Sequence, residues 1–434
     1  MLKVTIIGGG STYTPEIIQG FLSRLDQLPV DEIWLMDIDE SRLQIVGGLI
    51  QRMAAAAGNP FTVQLTVDRK AAIQDANYII TQFRVGQMEA RRSDEYLGKD
   101  YGLVGQETTG VGGMAKALRT IPVMLEIANE IRTLAPNALL LNFSNPSGLI
   151  TEALNRYARD ISVVGVCNSA YTTKMNILEK LTAHTGEIIH PDQAQLIGLG
   201  LNHLTWYYGF EVNGQDRWEE VFGMYLQELR ESETPMFTPG FIRKLGMMPN
   251  YYLEYYYETE RKLEEQEKWP PSRAEQVMKI EKELLAAYRD PERTQPPESL
   301  MQRGGSYYST VATQLINAHY NDLDEIHICN VRHNGEVRGW EKSWVVEMPC
   351  RVNATGIHPI PTEPLPLYNY VLLEQVKNYE LMTIEAAVHG DVRLLHLALA
   401  AHPLGPPEDR SADLIEDLLR INRPYLPQFF PASV

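Results

Sequence analysis

Residues 3–16 read KVTIIGGGSTYTPE: an apolar, β-branched run, three glycines, and the opening of a pattern with apolar residues at helical spacing. Strand, glycine turn and helix in that order let backbone N–H groups approach a pyrophosphate at the helix N-terminus. Gly8 and Gly10 match the first two glycines of the G-x-G-x-x-G spacing, and Tyr13 stands where the third would be. Ser11 and Thr12 fill the turn between them and the helix, so both are candidates to face a phosphate.

The pattern repeats outward from this turn. EIWLMD (32–37), NYIITQ (77–82), ALLLNFS (138–144) and SVVGVC (162–167) read as further buried strands. Between the strands, 14–25, 40–56, 115–134 and 147–158 carry apolar residues at helical spacing. This alternation predicts an α/β fold, an N-terminal Rossmann-like doubly wound parallel sheet with helices on both faces. Asp37, at the end of the second strand, is placed to accept hydrogen bonds from ribose hydroxyls and to repel a 2′-phosphate, which favours NAD over NADP. NFSNPSG (142–148) follows another strand on the same side of such a sheet, where the Asn145 amide can meet a bound hydroxyl.

After about residue 170 the pattern changes. QLIGLGLNHLTWYYGFEVNG (195–214) predicts long antiparallel strands ending at an Asn-Gly turn. Residues 254–288 predict charged helices broken at WPPSR, and 412–422 a closing helix. The expected division is an NAD-binding domain over 1–170 and an α+β catalytic, substrate and oligomerisation domain over 171–434, as in lactate and malate dehydrogenases.

Composition excludes some partners. The formal charge of −17, from 56 acidic against 39 basic residues, repels a nucleic-acid backbone or an anionic membrane. MLKVTIIGGG enters the first strand with no cleavable leader pattern, and no later apolar run has membrane-spanning length, so a cytoplasmic protein is expected. Three widely spaced cysteines make no disulfide framework. One of them, Cys167, ends an apolar strand beside Asn168, and on pattern alone it reads as a buried thiol.

Taken with GGGSTYTPE, FRVGQMEARRSDE (83–95), GLVGQETTGVGG (102–113), NFSNPSG, the Cys167-Asn168 pair, GLNHLTW (200–206), MMPNYYLEYYY (247–257), SRAEQVMKIEKELL (272–285), RGGSYYS (303–309) and VVEMPCRVNATGI (345–357), the chain resembles glycoside hydrolase family 4, and within it the 6-phospho-β-glucosidases. That NAD-dependent family departs from the usual two-carboxylate mechanism. The resemblance implies NAD and a divalent metal, Mn2+ or another, held by Cys167 and His203 with substrate oxygens completing the shell. It implies hydride transfer from C3 of the sugar to NAD+, loss of the C2 proton, elimination at C1, addition of water and return of the hydride. It assigns Tyr252 as the base, with Tyr251, Tyr255 and Tyr256 as other candidates, and Glu107 as the carboxylate that takes up its proton. It places Arg91, Asn145, Asn168 and Arg273 on a phosphorylated sugar, with Arg303 a further candidate for the phosphate. Asn168, an amide that donates no catalytic proton, resembles the β-specific members, although the chain continues Ser-Ala-Tyr instead of the commoner Val-Pro. A homodimer or homotetramer is expected by the same resemblance. Three other readings stay open at this point: an NAD-dependent 2-hydroxy-acid dehydrogenase, a family 4 glycosidase acting on another sugar, and an NAD sensor without turnover.

Overall fold

The computed structural model describes residues 1–304 and 307–430; Gly305 and Ser306 of RGGSYYS lie outside them. Six strands, β1 (Lys3–Ile7), β2 (Glu32–Met36), β3 (Thr62–Thr66), β4 (Tyr78–Thr81), β5 (Leu139–Asn142) and β6 (Ser162–Gly165), are parallel and stand in the order 3-2-1-4-5-6. This is a doubly wound sheet, whose ligand crevice opens where the strand order reverses, between β1 and β4. Helices α1 (Thr14–Leu22), α2 (Glu40–Ala56), α3 (Arg69–Ile73), α4 (Gln87–Asp100), α5 (Gly110–Leu134) and α6 (Ser147–Tyr157) connect them, and α7 (Ser169–Thr185) follows β6. Alternation along the strands feeds two cores: Val4, Ile6, Ile80 and Leu141 pack on one face, and Ile7, Ile79 and Leu140 on the other.

The sheet continues past β6. β7 (Ala194–Leu201), β8 (Leu204–Val212), the two-residue β9 (Gln215–Asp216) and β10 (Met248–Pro249), β11 (Glu325–Arg332), β12 (Val345–Asn353) and β13 (Gly356–Pro359) extend it with antiparallel pairing, to 13 strands among the described residues. Among the described residues a single strand pairing, Gly165–Asn330, joins the parallel half to the antiparallel one, through β6 and β11. One transverse row runs Asn142, Gly165, Asn330, Glu347, Gly200, Thr205 across six strands. That row aligns the carboxyl ends of β5 and β6 with the tight β7–β8 turn at Asn202-His203.

Three helical or strand elements depart from the pattern reading, each for a visible reason. β3 is an edge strand, TVQLT, with Thr62 and Gln64 exposed, so it lacks the apolar run of its neighbours. α4 buries Asp94 and Glu95 along with Met88 and Leu97, so its inner face carries no hydrophobic stripe. α5 begins at Gly110, five residues before the expected start, because its glycines serve close packing. A Cβ on Gly112 would lie 2.4 Å from the Gln106 carbonyl oxygen, and one on Gly113 would lie 2.6 Å from the Thr108 carbonyl carbon. No helix among the described residues is long and apolar enough to cross a membrane.

Candidate active site

The register that pairs Ile7 with Met36 and Thr81 brings the glycine turn, Asp37 and Gln82 to one edge of the sheet. Gly8 has φ +92°, and a Cβ there would lie 2.9 Å from the Gln82 backbone, so this position requires glycine. The Gly10 N–H donates to Asp37 Oδ2 at 2.9 Å, and the Asp39 N–H donates to Oδ1 at 3.0 Å. The carboxylate is thereby fixed with lone pairs to spare for a diol. A cavity of about 760 Å³ opens here, lined by Gly8, Gly10, Ser11, Asp37, Lys116 and Asn145 among others. Its size and its glycine turn fit a dinucleotide. Thr12 is fully buried behind the turn, where its hydroxyl donates to Glu281 and its carbonyl accepts from Tyr288. Glu281 also pairs with Arg42 and with Arg303, so Arg303 stands on the dinucleotide side of the site.

Cys167 lies two residues past the end of β6, and His203 sits in the β7–β8 turn at φ +66°, a left-handed conformation that non-glycine residues seldom adopt. Their Sγ and Nε2 are 3.5 Å apart. A thiolate and an imidazole on one tetrahedral first-row divalent ion stand about 3.6 Å apart, so the spacing fits a shared metal. Among the described residues no group of three or more His, Cys, Asp or Glu side chains could hold an ion, so Cys167 and His203 leave coordination positions open to oxygen ligands. Burial, and then the charge of Glu347, push the Cys167 thiol up to about 11, against its contacts with Ser169 and Asn202. Metal binding must therefore release a thiol proton. Burial takes His203 down to about 3, with Glu107 opposing and Lys116 assisting, so the imidazole is neutral and able to ligate.

Tyr252 stacks on His203, ring centroids 3.7 Å apart and planes 14° apart. The Asn250 side chain caps the Tyr252 N–H at 3.1 Å and also donates to Ser169, the residue the Cys167 thiol contacts. Burial first, then the charges of Cys167 and Glu107, raise the Tyr252 phenol above its ordinary value, while Tyr251 and Arg91 lower it. Of the other tyrosines, Tyr251 and Tyr255 lie ring against ring with Tyr252, and Tyr256 and Tyr257 bond elsewhere. Tyr256 bonds Thr109 at 2.6 Å, Tyr257 accepts from Trp206 at 3.0 Å, and Tyr251 packs on Tyr252 at 4.5 Å.

Glu107 meets three cations. Arg84 and Lys116 approach Oε2, the latter at 2.7 Å, and Arg91 approaches Oε1 at 3.0 Å. Burial alone would raise this carboxyl, but Arg84, Arg91 and Lys116 outweigh it and hold it well below the usual carboxylate range. Lys116 moves the other way from an ordinary ion-paired lysine, down to about 7, because burial and repulsion from Arg84 exceed the pull of Glu107. The buried Asp94–Arg119 fork, at 2.7 Å, ties α4 to α5 one turn beyond Arg91 and Lys116. Arg91 also pairs with Glu95 at 2.8 Å, and Glu95 accepts the Ala274 N–H beside Arg273.

Arg273 opens the helix Arg273–Tyr288 and donates to the Gln302 and Arg303 carbonyls and to Gln276; it makes no ion pair among the described residues. Asn145 lines the cavity, and Asn168 stands at the N-terminus of α7 with its amide 3.5 Å from the Thr172 hydroxyl. Sequence reasoning did not single out Arg84, Lys116 or Thr108. Lys116 had a signal, a lone charge within GVGGMAKAL, since a lysine among small apolar residues needs a buried partner.

Comparison with known proteins agrees with this geometry. Residues 3–183 match the model of the family 4 glycosyl hydrolases, and residues 198–405 match that of the family 4 glycosyl hydrolase C-terminal domain. The chain is 40% identical to the probable 6-phospho-beta-glucosidase of Bacillus subtilis, over 99% of this chain and 98% of that one. It is 37% identical to the 6-phospho-beta-glucosidase of Escherichia coli, over 99% and 97%. The 6-phospho-beta glucosidase of Thermotoga maritima, solved with manganese, NAD+ and glucose-6-phosphate, superposes with a TM-score of 0.90 at 35% identity, covering 98% of this chain and 99% of that one. Malate dehydrogenase of Plasmodium falciparum shares the fold alone, with a TM-score of 0.51 at 14% identity over 96% of this chain and 100% of that one. Sheet order, glycine turn and dehydrogenase likeness thus describe a shared scaffold, and the full-length matches name the lineage: the chain belongs to the family 4 glycosyl hydrolases.

Proposed function

We propose that the protein hydrolyses 6-phospho-β-glucosides with the help of NAD+ and Mn2+ or a similar divalent ion. The observation that carries this reading is the stack of Tyr252 on His203, 3.5 Å from Cys167, at the same sheet edge as the dinucleotide turn. The relatives named above act on such substrates, and the Thermotoga maritima enzyme binds these groups. When bound, NAD+ supplies a reversible hydride acceptor and the ion a Lewis acid that acidifies protons beside a carbonyl.

The chain's own residues do the rest. Cys167 and His203 hold the ion, and Gly8, Gly10, Ser11 and Asp37 hold the dinucleotide, with Thr12 supporting the turn from behind. Tyr252 Oη takes the C2 proton. Glu107, fully engaged by cations, keeps Arg91 and Lys116 in place and adds negative charge beside the phenol. Arg91, Asn145 and Asn168 orient the sugar, and Arg273, lacking an anionic partner among the described residues, meets the 6-phosphate.

Residues 1–170 serve as the dinucleotide unit and 171–434 as the substrate and oligomerisation unit, a division supported by the strand order of β1–β6. Exposed Leu367, Tyr368 and Val371 on one helical turn support a homodimer or homotetramer. Three buried free thiols and membrane-impermeant reactants support a cytoplasmic location.

Reduced protein is expected to release nitrophenol from p-nitrophenyl 6-phospho-β-glucoside only with both NAD+ and Mn2+, without accumulating NADH. Activity confined to the α-anomer or to an unphosphorylated sugar would overturn the substrate, and stoichiometric NADH would overturn the mechanism. Exchanging Asp37 for serine removes the carboxylate that accepts from ribose and repels a 2′-phosphate. The NAD+/NADP+ preference is expected to fall roughly 10- to 100-fold, the worth of one charged hydrogen bond, as read from activation constants for the two dinucleotides.

A further inference from the structure

His203 is held by a turn that has drawn no role so far. Gln106 Oε1 accepts the backbone N–H groups of Thr108 and of Thr109, the latter at 3.0 Å. Two N–H donors aimed at one atom identify it as the amide oxygen. The Thr108 hydroxyl lies 2.8 Å from that oxygen and 2.9 Å from His203 Nδ1. A hydroxyl has one hydrogen. Two oxygens in contact need a proton between them, and only the Thr108 hydroxyl can supply it, so its proton points to Gln106. The second contact then needs its proton from the imidazole.

We infer that Gln106 and Thr108 act as positioning residues that lock neutral His203 in its Nδ1–H tautomer, leaving the Nε2 lone pair directed at the Cys167 side as a ready metal ligand. The Nε2–Sγ spacing of 3.5 Å is the gap this lone pair faces. The lock matters because an imidazole protonated at Nε2 presents no lone pair to an ion on the Cys167 side, while the stack on Tyr252 fixes only the ring plane. Gln106 and His203 are each 8% exposed, so bulk water does not substitute for the threonine.

The inference rests on the reading of His203 as a metal ligand, and its test separates the two. In metal-free, 15N-histidine-labelled protein, long-range 1H–15N correlation is expected to show His203 with a protonated Nδ1 and a bare Nε2, its signals identified by their loss in His203→Gln. Gln106→Leu frees the Thr108 proton to turn toward the ring and is expected to move the population to the Nε2–H form. Thr108→Val, which keeps the shape but removes the acceptor, is expected to weaken Mn2+ binding roughly 10- to 100-fold, and Thr108→Ser to restore it. An Nε2–H tautomer in the unaltered protein, or unchanged Mn2+ affinity in Thr108→Val, would overturn the lock. Failure of the unaltered protein to bind Mn2+ while the Nδ1–H tautomer is seen would overturn the metal reading and leave the tautomer standing.

Discussion

Exchanging Tyr252 for phenylalanine is expected to lower kcat by ~10²- to 10⁴-fold, the usual worth of a positioned general base, with KM nearly unchanged. Phenylalanine keeps the ring that stacks on His203 at 3.7 Å, so the metal pair and the fold should persist and only the proton acceptor is lost. Steady-state hydrolysis checks this, together with solvent deuterium incorporation at C2 of the released sugar, which should disappear. The environment sharpens the expectation: burial first and the Glu107 carboxylate beside it keep the phenol protonated in the resting site, against the smaller opposing pull of Arg91. If the variant retained activity within tenfold and Tyr251→Phe lost more, the base would be Tyr251, whose ring lies 4.5 Å away.

Exchanging Glu107 for glutamine is expected to destabilise the fold by about 3–5 kcal/mol, because it leaves Arg84, Arg91 and Lys116 converging on a neutral amide inside the protein. The urea midpoint measures the loss. Glu107→Gln combined with Arg84→Met should recover part of it, since that pair removes one of the stranded guanidinium groups, and strict additivity would sink the account. The pH dependence has a definite sign. The three cations depress the Glu107 carboxyl in the folded state, so its stabilisation is complete above the ordinary value of 4.5 and is lost as pH falls through the lower folded-state value. The part of the difference between native and Glu107→Gln protein that the Glu107 carboxyl itself contributes should hold down to about pH 5 and shrink only in stronger acid.

The first half of the fold was legible because its signals are contiguous. A buried strand, a glycine turn, a helix and an acid at the next strand end all lie between Lys3 and Asp37, and each is fixed by local chemistry. The Cys167–His203 pair was not legible from pattern, since the two are 36 positions apart and meet through the register linking β6, β11, β12 and β7. Resemblance supplied that pair, and the geometry brings it together. Among the tyrosines of MMPNYYLEYYY, Tyr256 and Tyr257 are tied by hydrogen bonds to Thr109 and Trp206, and the stack on His203 is what sets Tyr252 apart. Arg84 and Lys116 escaped notice because one comes from a loop and the other from the buried face of a long helix. No periodicity marks such a face.

Cys167 belongs to the parallel half of the sheet and His203 to the antiparallel half, and a single residue pair, Gly165–Asn330, sutures the two beside them. The parallel half carries the glycine turn of a dinucleotide fold, and such a turn by itself specifies no glycosidase chemistry. The sulfur–nitrogen pair exists only at the suture, so recombination that exchanged either half would carry away one member of it. Selection on this pair acts on the halves jointly, as on a lock and its strike plate cut in separate workshops.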